Sequence, residues 1–368
     1  MFAEKHFPES ITHEELDAYL GRGWYRMGQM VFTCHFLFFE KNLYSPVWTR
    51  LPLQGYAFRK SLRKITRNVE KQFSVTIGPA ELTEKKEMLF QKYSHNFDGN
   101  IGLSLKHNLQ EEKETNIFDT YEVLVFHGKK LIALSFFDRG KISLTSILGI
   151  YDPAYHRHSL GLYTMLREIQ YGLDNGYRYY YPGYIVPGNE RFDYKLRIGK
   201  KEELEYFDLK TRGWLKYDTF SKENVPVDLL SNMLANMGHK LAAWQIACQI
   251  MYYPAYDAEI FGYENERLLE SPLFLVLFNN IFPRPRFIIF YDLWKEKYIF
   301  SHCMTLEDLG YYFEHSMEYD HMGAKHFLDI ILKKTKIIET KNMEEIVALA
   351  MQIDSLLKKP RQHMRRLK

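Results

Sequence analysis

Cysteine is scarce in this chain of 368 residues, which contains three of them: Cys34, Cys248 and Cys303. The three lie far apart, and none belongs to a C-x-x-C motif. This pattern argues against a disulfide framework and against a four-thiolate zinc or iron–sulfur site. It suits a protein of the reducing cytoplasm.

Long apolar segments are also missing. Residues 30–39 form one of the longest apolar runs, which is far shorter than the roughly 20 residues that a membrane-spanning helix needs. The first ten residues carry Glu4, Lys5 and Glu9 and lack the apolar stretch of a signal peptide. We therefore expect a soluble, cytoplasmic protein that does not bind a membrane.

Charge of one sign does not dominate the chain. The sequence has 49 basic and 46 acidic residues, for a formal net charge of +3. A net charge this small does not indicate a nucleic-acid-binding protein. Any such function has to be argued from local clusters of basic residues.

The most charged segment of the first half, residues 58–71, has the pattern of an amphipathic helix. Its apolar residues Phe58, Leu62, Ile65 and Val69 recur every three or four positions. Basic side chains fill the neighbouring positions, and those that would contact the phosphates of an RNA are Arg59, Lys60, Arg63, Lys64 and Arg67. A solvated helix face has the same composition, so both interpretations stay open.

The middle of the chain predicts a mixed sheet. Three strands, separated by two turns that contain Gly128 and Gly140, form an antiparallel meander. A helix then connects the third strand to a fourth, and such a crossover places the fourth strand parallel to the third. The predicted strands are residues 121–126, 131–137, 142–150 and 177–181, and the predicted helix is 159–173. This order of elements is that of the core of the GNAT fold.

The rest of the chain predicts helices with two strands between them. Residues 227–252 have helical spacing, 273–278 and 287–291 resemble strands, and three helices are expected to follow before a basic tail. The predicted fold class is α+β: a GNAT-like mixed sheet with flanking helices, a small β-rich N-terminal unit and a largely helical C-terminal extension. We expect three domains, namely an N-terminal α/β unit with the basic helix (1–110), a GNAT-like acyltransferase core (111–220) and a mostly helical extension (221–368).

The junction between the third strand and the crossover helix, residues 151–161, is where a GNAT fold binds its acyl donor. Backbone N–H groups at the start of that helix attract negative groups. A CoA-dependent enzyme would show a loop of the type R-x-x-G-x-G/A, whereas this junction has Gly161 alone, which argues against CoA. His156 and His158 flank the junction, and solvent exposure is a better expectation for them than a role as general base.

A series of short motifs between residues 151 and 195 resembles the conserved block of arginyl-tRNA and leucyl-tRNA protein transferases. The motifs are Tyr151-Asp152-Pro153, Ser159-Leu160-Gly161-Leu162-Tyr163, Leu166-Arg167-Glu168-Ile169, Tyr179-Tyr180-Tyr181-Pro182-Gly183-Tyr184 and Tyr194-Lys195. The family moves an amino acid from a charged tRNA to the N-terminal residue of a protein, which marks that protein for degradation. The resemblance implies an aminoacyltransferase of the arginine or leucine class in an N-degron pathway. Its partners would be an aminoacyl-tRNA and an acceptor with a free N-terminus.

Because the ester on the tRNA is already activated, such a site mainly positions an amine, helps to remove its proton and stabilises an oxyanion. The resemblance implies that the catalytic residues are Asp152, Tyr181 and Tyr184. The implied substrate-binding residues are Ser159, Leu160, Gly161, Tyr163, Gly183, Asn189, Tyr194 and Lys195. Structural roles remain open for several of them: Asp152 as the cap of a turn, Ser159 as the cap of a helix, the tyrosines as half-buried strand residues and Lys195 as a surface residue.

Two departures from the family pattern concern cysteine. The family commonly carries N-terminal cysteines that hold a metal cluster, and a cysteine shortly before the Tyr-Lys pair. Here the opening region has Cys34 alone, and residues 188–193 contain none, which indicates a divergent member without a metal or other cofactor. Three hypotheses remain: aminoacyl transfer from tRNA, N-acetylation with acetyl-CoA as the donor, and a non-catalytic binder of tRNA or peptide that keeps the GNAT fold.

Overall fold

The structure is a computed structural model that describes residues 3–39, 42–96, 102–111, 115–222, 225–253, 271–278, 286–310, 325–327 and 329–358. Its contacts divide the chain into two compact units. The larger comprises Glu4–Thr33 and Pro46–Ser221, and the smaller comprises Met1–Ala3, Cys34–Ser45 and Lys222–Lys368. The predicted basic tail after Lys358 lies outside the described residues.

The elements are numbered in chain order. The strands are β1 Ala3–His6, β2 Tyr25–Met27, β3 Met30–Cys34, β4 Leu37–Phe39, β5 Asn42–Tyr44, β6 Val47–Pro52, β7 Ser74–Pro79, β8 Thr120–His127, β9 Lys130–Arg139, β10 Ser143–Tyr151, β11 Tyr179–Ile185, β12 Glu205–Asp208, β13 Gly213–Lys216, β14 Cys248–Tyr252, β15 Leu273–Leu277, β16 Phe287–Asp292, β17 Lys297–Thr305 and β18 Ile331–Thr340. The helices are α1 His13–Gly21, α2 Lys60–Glu70, α3 Glu84–Ser94, α4 Leu105–Gln110, α5 Leu160–Asp174, α6 Pro226–Ala243 and α7 Met343–Lys358. Short 3₁₀ segments include Pro153–His158 and Glu190–Ile198.

The larger unit is built on an eight-stranded mixed sheet. Its strand order is β13-β12-β6-β11-β10-β9-β8-β7. Strands β8, β9 and β10 form the predicted antiparallel meander, and α5 leads from β10 to β11, which pairs with β10 in parallel. The α+β class and the GNAT-like mixed sheet are therefore confirmed.

Helices cover both faces of this sheet, because neighbouring residues of a strand point to opposite sides. On β9, Phe137 belongs to a buried cluster with Leu166 of α5, whereas the adjacent Phe136 packs in a cluster with Phe90 of α3. The basic helix α2 is confirmed, and it packs against α5 through buried residues that include Leu62. Helix α5, which begins at the junction with β10, thus packs on the sheet on one side and on α2 on another.

Three further features bear on the predictions for this unit. Helix α1 begins with a capping box, since Thr12 accepts a hydrogen bond from the backbone N–H of Glu15 and the Glu15 side chain accepts one from the Thr12 N–H. Strands β6 and β7, from the predicted first domain, lie in the same sheet as the strands of the predicted second domain, and the domain boundaries stay predictions. No helix within the described ranges has both the length and the apolar character that crossing a membrane would require.

The expectation of a largely helical C-terminal extension is wrong for the described residues. The smaller unit contains a five-stranded antiparallel sheet in the order β14-β15-β16-β17-β18, together with α6 and α7. The helix predicted over 227–252 ends at Ala243, because Gln245 adopts a left-handed conformation with φ of 58° and the chain continues as β14. The two strands predicted at 273–278 and 287–291 are confirmed as β15 and β16.

Candidate active site

The parallel pair of β10 and β11 separates part-way along its length. The two strands pair from Ser143 with Tyr179 as far as Thr145 with Tyr181, and no further. The next residue of β11 is Pro182, which has no N–H to donate to a neighbouring strand. Gly183 follows with φ of 91°, a conformation that favours glycine and turns the strand away from β10.

An irregularity on β10 widens the same gap. The pairing of β10 with β9 shifts between Ser146 and Leu148, which is the signature of a β-bulge. A bulge bends the strand and changes the direction in which its side chains point. The bulge on one strand and the Pro-Gly pair on the other therefore open a slot between two strands that are paired at their other end.

The slot is a cavity of about 160 Å³. Residues from six strands, from α5 and from the 3₁₀ segment Glu190–Ile198 line it, and the polar or charged ones are Tyr25, Arg26, Trp48, Ser135, Thr145, Ser146, Thr164, Tyr184, Tyr194 and Lys195. None of the described residues that line it is acidic. The pocket has two cations, Arg26 and Lys195. Arg26 already has an anionic partner, because its fully buried side chain forms an ion pair with Asp138 at 2.7 Å.

Lys195 is the second cation of the pocket. Its ammonium group donates a hydrogen bond to the backbone oxygen of Tyr184 at 3.0 Å and lies 4.9 Å from the centre of the Tyr184 ring. Burial lowers the pKa of Lys195 to about 8, and no carboxylate of the described residues pairs with it. A Cβ atom on Gly183 would come within 3.2 Å of the Lys195 nitrogen, so the glycine also makes room for this amine.

Two residues that line the pocket carry buried polar atoms without a hydrogen-bond partner. These atoms are Trp48 Nε1 and Thr145 Oγ1, in side chains that are 2% and 0% exposed. Buried polar groups in folded proteins are almost always paired, and those that are not often await a ligand or an ordered water. The pocket therefore offers two hydrogen-bonding groups to a bound molecule.

A buried carboxyl group, that of Glu168 on α5, lies directly behind the pocket. It accepts hydrogen bonds from Ser135 Oγ at 2.5 Å and from the hydroxyl of Tyr180 at 2.7 Å, and it also interacts with the side chain of Ser146. Burial raises the pKa of Glu168 to about 7, although these hydrogen bonds oppose the rise. Glu168 belongs to the motif Leu166-Arg167-Glu168-Ile169, and the motif alone assigns it no role.

The structure separates the three predicted catalytic residues. Tyr184 lines the pocket, with its ring 5.1 Å from that of Trp48. Tyr181 is 1% exposed and lies outside the pocket, packed edge-on against Trp214 at 5.4 Å. The expectation that Tyr181 borders the slot is wrong, because the strands are still paired at that residue and its ring is enclosed by other aromatic side chains.

Asp152 also lies outside the pocket. Its carboxylate, 1% exposed, forms ion pairs with Lys92 at 2.7 Å and Lys130 at 2.8 Å and accepts a hydrogen bond from the N–H of Ala154. Burial alone would raise the pKa of Asp152, but these contacts outweigh it and lower the pKa to about 2. The alternative role as the cap of a turn is the one that the structure shows.

Four of the eight predicted substrate-binding residues line the pocket: Gly161, Gly183, Tyr194 and Lys195. The other four lie outside it. Leu160 and Tyr163 are buried in a core cluster with Val125, and Asn189 caps the 3₁₀ segment that follows it. The predicted side-chain cap by Ser159 is wrong, because Ser159 has φ of 53° and its side chain makes no cap hydrogen bond.

The five basic residues predicted to contact tRNA are all exposed, at or on α2. Arg63 and Arg67 line a groove between α2 and α5, together with Lys71 and Arg167. Arg59, at the start of the helix, donates a hydrogen bond to the backbone oxygen of Arg197. Helix α5 borders both this groove and the slot, and the groove also contains Glu70, which forms an ion pair with Arg167 at 3.0 Å.

The two histidines of the junction do not line the pocket. His156 is exposed, and its Nδ1 atom is 3.1 Å from the backbone oxygen of Pro153. The ring of His158 packs edge-on against Phe73 at 5.0 Å. The expected solvent exposure is found for His156, whereas His158 is partly buried.

Three comparisons with known proteins bear on this site. Residues 85–205, which include most of the slot, match a family model described as arginine-tRNA-protein transferase, C terminus. The aspartate/glutamate leucyltransferase of Leptospira interrogans serogroup Icterohaemorrhagiae serovar copenhageni is 26% identical over 225 residues, which cover 59% of this chain and 84% of that protein. The protein of the same name from Helicobacter hepaticus is 24% identical over 204 residues, which cover 54% of this chain and 82% of that protein.

Among solved structures, a GCN5-related N-acetyltransferase-like protein from Streptococcus suis aligns with a TM-score of 0.26 and 14% identity, over 46% of this chain and 62% of that chain. The fold assignment given above depends on the strand order and not on this alignment. The residues matched by the family model contain strands β8 to β11 and helix α5. Residues 85–205 are therefore similar to the C-terminal region of arginine-tRNA-protein transferases, and more than half of the chain is similar to aspartate/glutamate leucyltransferases.

Proposed function

We propose that this chain transfers leucine from leucyl-tRNA to the free α-amino group of proteins that begin with aspartate or glutamate. The relatives named aspartate/glutamate leucyltransferase support this choice. The observation that carries it is the slot between β10 and β11, which has a cation without a carboxylate partner and, among the described residues that line it, no acidic side chain.

The charges of the slot favour leucine over arginine as the amino acid transferred. A bound guanidinium group has five N–H donors and is usually met by a carboxylate. The described lining of the slot provides none, whereas Ile147, Leu148 and Met165 provide an apolar wall. A neutral aliphatic side chain is therefore the better match for this cavity.

The same charges favour an acidic acceptor. Lys195 holds its ammonium group beside the slot, where burial disfavours the charged form. The carboxylate of an N-terminal aspartate or glutamate would supply the missing negative charge and stabilise that form.

The reaction would need no cofactor, because the aminoacyl ester of tRNA is already activated. The attacking amine forms a bond with the ester carbonyl carbon, and the carbonyl oxygen becomes negatively charged in the transition state. Trp48 Nε1 and Thr145 Oγ1 are the groups that we assign to this oxygen. The basic face of α2, with Arg63 and Arg67, would contact the phosphates of the tRNA, and the cytoplasm is the compartment where charged tRNA and this protein would meet.

A transfer assay tests the proposal. The full chain is incubated with separately charged leucyl-, arginyl- and other aminoacyl-tRNAs and with peptides that begin with Asp, Glu, Arg or Lys, each with a free or an acetylated N-terminus. Transfer of leucine to the free Asp and Glu peptides, and not to their acetylated forms, is the expected result.

Other outcomes would contradict the proposal in distinct ways. Transfer of arginine in place of leucine would overturn the choice of amino acid and leave the reaction class intact. Tight, salt-dependent tRNA binding without transfer from any charged tRNA would favour a non-catalytic binder. Acetylation of the peptides with acetyl-CoA would show that the donor is a thioester.

A further inference from the structure

The carboxyl group of Glu168 lies where burial destabilises its charged form. It is 0% exposed, and no cation of the described residues forms an ion pair with it. Its contacts are hydroxyl groups: those of Ser135 on β9, Ser146 on β10 and Tyr180 on β11. Tyr194, from the 3₁₀ segment, is the further titratable group that interacts with it electrostatically.

A purely structural role would not require an acid at this position. A glutamine has nearly the same shape, can accept hydrogen bonds from the same hydroxyl groups and carries no charge to desolvate. A buried acid whose proton affinity is shifted to near neutral pH is instead typical of groups that take up and release protons. The acid at this position is therefore explained by the proton that it can carry and not by its packing.

Ser146 connects Glu168 to the slot. This serine lies at the bulge of β10, is partly exposed and lines the cavity, and its side chain interacts with both Glu168 and Tyr180. Ser135 also lines the cavity but is 1% exposed. A hydroxyl group that touches the cavity on one side and a carboxyl group on the other can accept one proton while it donates another.

The transfer reaction needs such a path. The nitrogen of the acceptor, as a neutral amine, forms a bond with the ester carbonyl carbon and must then lose a proton. The bond between that carbon and the ribose oxygen breaks, and the ribose oxygen must gain a proton to leave as a hydroxyl group. One group that accepts the first proton and donates the second balances both steps without net consumption.

We propose that Glu168 is the proton carrier of the transfer reaction and that the Ser146 hydroxyl links its carboxylate to the reacting atoms. This inference rests on the proposed function, since it assigns a proton path to the same slot. Glu168 takes the proton from the attacking nitrogen through Ser146 and returns it by the same path to the leaving ribose oxygen.

The test compares the pH dependence of transfer by the full-length wild type and three variants, with saturating leucyl-tRNA and an Asp-initiated peptide. In the wild type, kcat should rise through an inflection near pH 7, separate from the ionisation of the peptide α-amine near pH 8. Glu168→Gln should lower kcat by at least about 100-fold, leave KM for the peptide within about twofold and abolish the lower inflection. Glu168→Asp should recover part of kcat and the inflection.

Ser146→Ala keeps the carboxyl group and breaks the link, so it should also lose the lower inflection even if Glu168→Gln folds poorly. Glu122→Gln is the matched control, because Glu122 is a buried acid of the same sheet that pairs with Lys86 outside the slot. It should change the melting temperature and leave the pH profile unchanged.

A Glu168→Gln profile that keeps the lower inflection at wild-type kcat would overturn the proton path while the proposed function stands. A wild type that transfers nothing from any charged tRNA would overturn the proposed function and the path together.

Discussion

The substitution Thr145→Val separates a group that serves the fold from one that serves a substrate. The Thr145 hydroxyl is buried without a partner, so the folded protein bears the cost of removing it from water. That cost is about 1–3 kcal/mol for a buried polar group, and valine has nearly the same shape. We therefore expect the free energy of unfolding to rise by about 1 kcal/mol. If the hydroxyl contacts the oxyanion, kcat should fall by about 100-fold.

Urea unfolding and the transfer assay measure the two effects. Thr49→Val is the matched control for stability, because Thr49 is equally buried in strand β6 of the same sheet but donates a hydrogen bond to the backbone oxygen of Gly183 at 2.8 Å. Loss of this hydrogen bond in Thr49→Val should lower the free energy of unfolding by about 1 kcal/mol. A Thr145→Val variant that is destabilised to the same extent, or one that is stabilised and retains wild-type kcat, would refute the assignment of this hydroxyl to a substrate.

Three further predictions concern charged residues. Lys195→Met should raise the free energy of unfolding by about 1–2 kcal/mol at pH 7, because burial holds the folded-state pKa of Lys195 near 8, and this gain should fade between pH 8 and 10.5. The same change should raise KM for Asp peptides at least about tenfold, and an unchanged KM would contradict the role of Lys195 in binding the acceptor. Asp152→Asn should lower the free energy of unfolding by about 1–2 kcal/mol at pH 7, as measured by urea unfolding, and this difference from the wild type should vanish as the pH falls from 3.8 towards 2. Equal stability of the two proteins at pH 7 would disprove the stabilising role of the Asp152 carboxylate. The double change Arg63→Ala and Arg67→Ala should weaken tRNA binding and reduce the salt dependence by about 1.5 in log–log slope, whereas Lys129→Ala should change neither.

The central sheet could be predicted from the sequence because its signals are local. The turns at Gly128 and Gly140 set the register of the meander, and the spacing of apolar residues defines α5. The smaller unit was harder to predict, because residues 297–305 and 331–340 become strands through pairing with each other and with β16. Such pairing decides between helix and strand over distances that local patterns do not reach.

The residues of the candidate site also divide into those that local sequence signals reveal and those that only long-range pairing brings to the slot. Pro182 and Gly183 mark the point where the strands separate, and both are visible in the sequence. Trp48 is different, since it reaches the slot through its pairing opposite Tyr184, far away in the chain. Glu168 could have been noticed, because it continues the buried stripe of Thr164 along α5, but its hydroxyl partners come from three different strands.

The most direct test of the account is the position of a stable donor analogue in the protein. A leucyl-adenosine in which an amide replaces the ester would be bound to the full chain, and the structure of the complex determined. If the slot is the active site, the leucine side chain should lie against Ile147 and Leu148, between β10 and β11, with the carbonyl oxygen of the analogue within hydrogen-bond distance of Thr145 Oγ1 or Trp48 Nε1. An analogue that binds elsewhere and leaves the slot empty would contradict it.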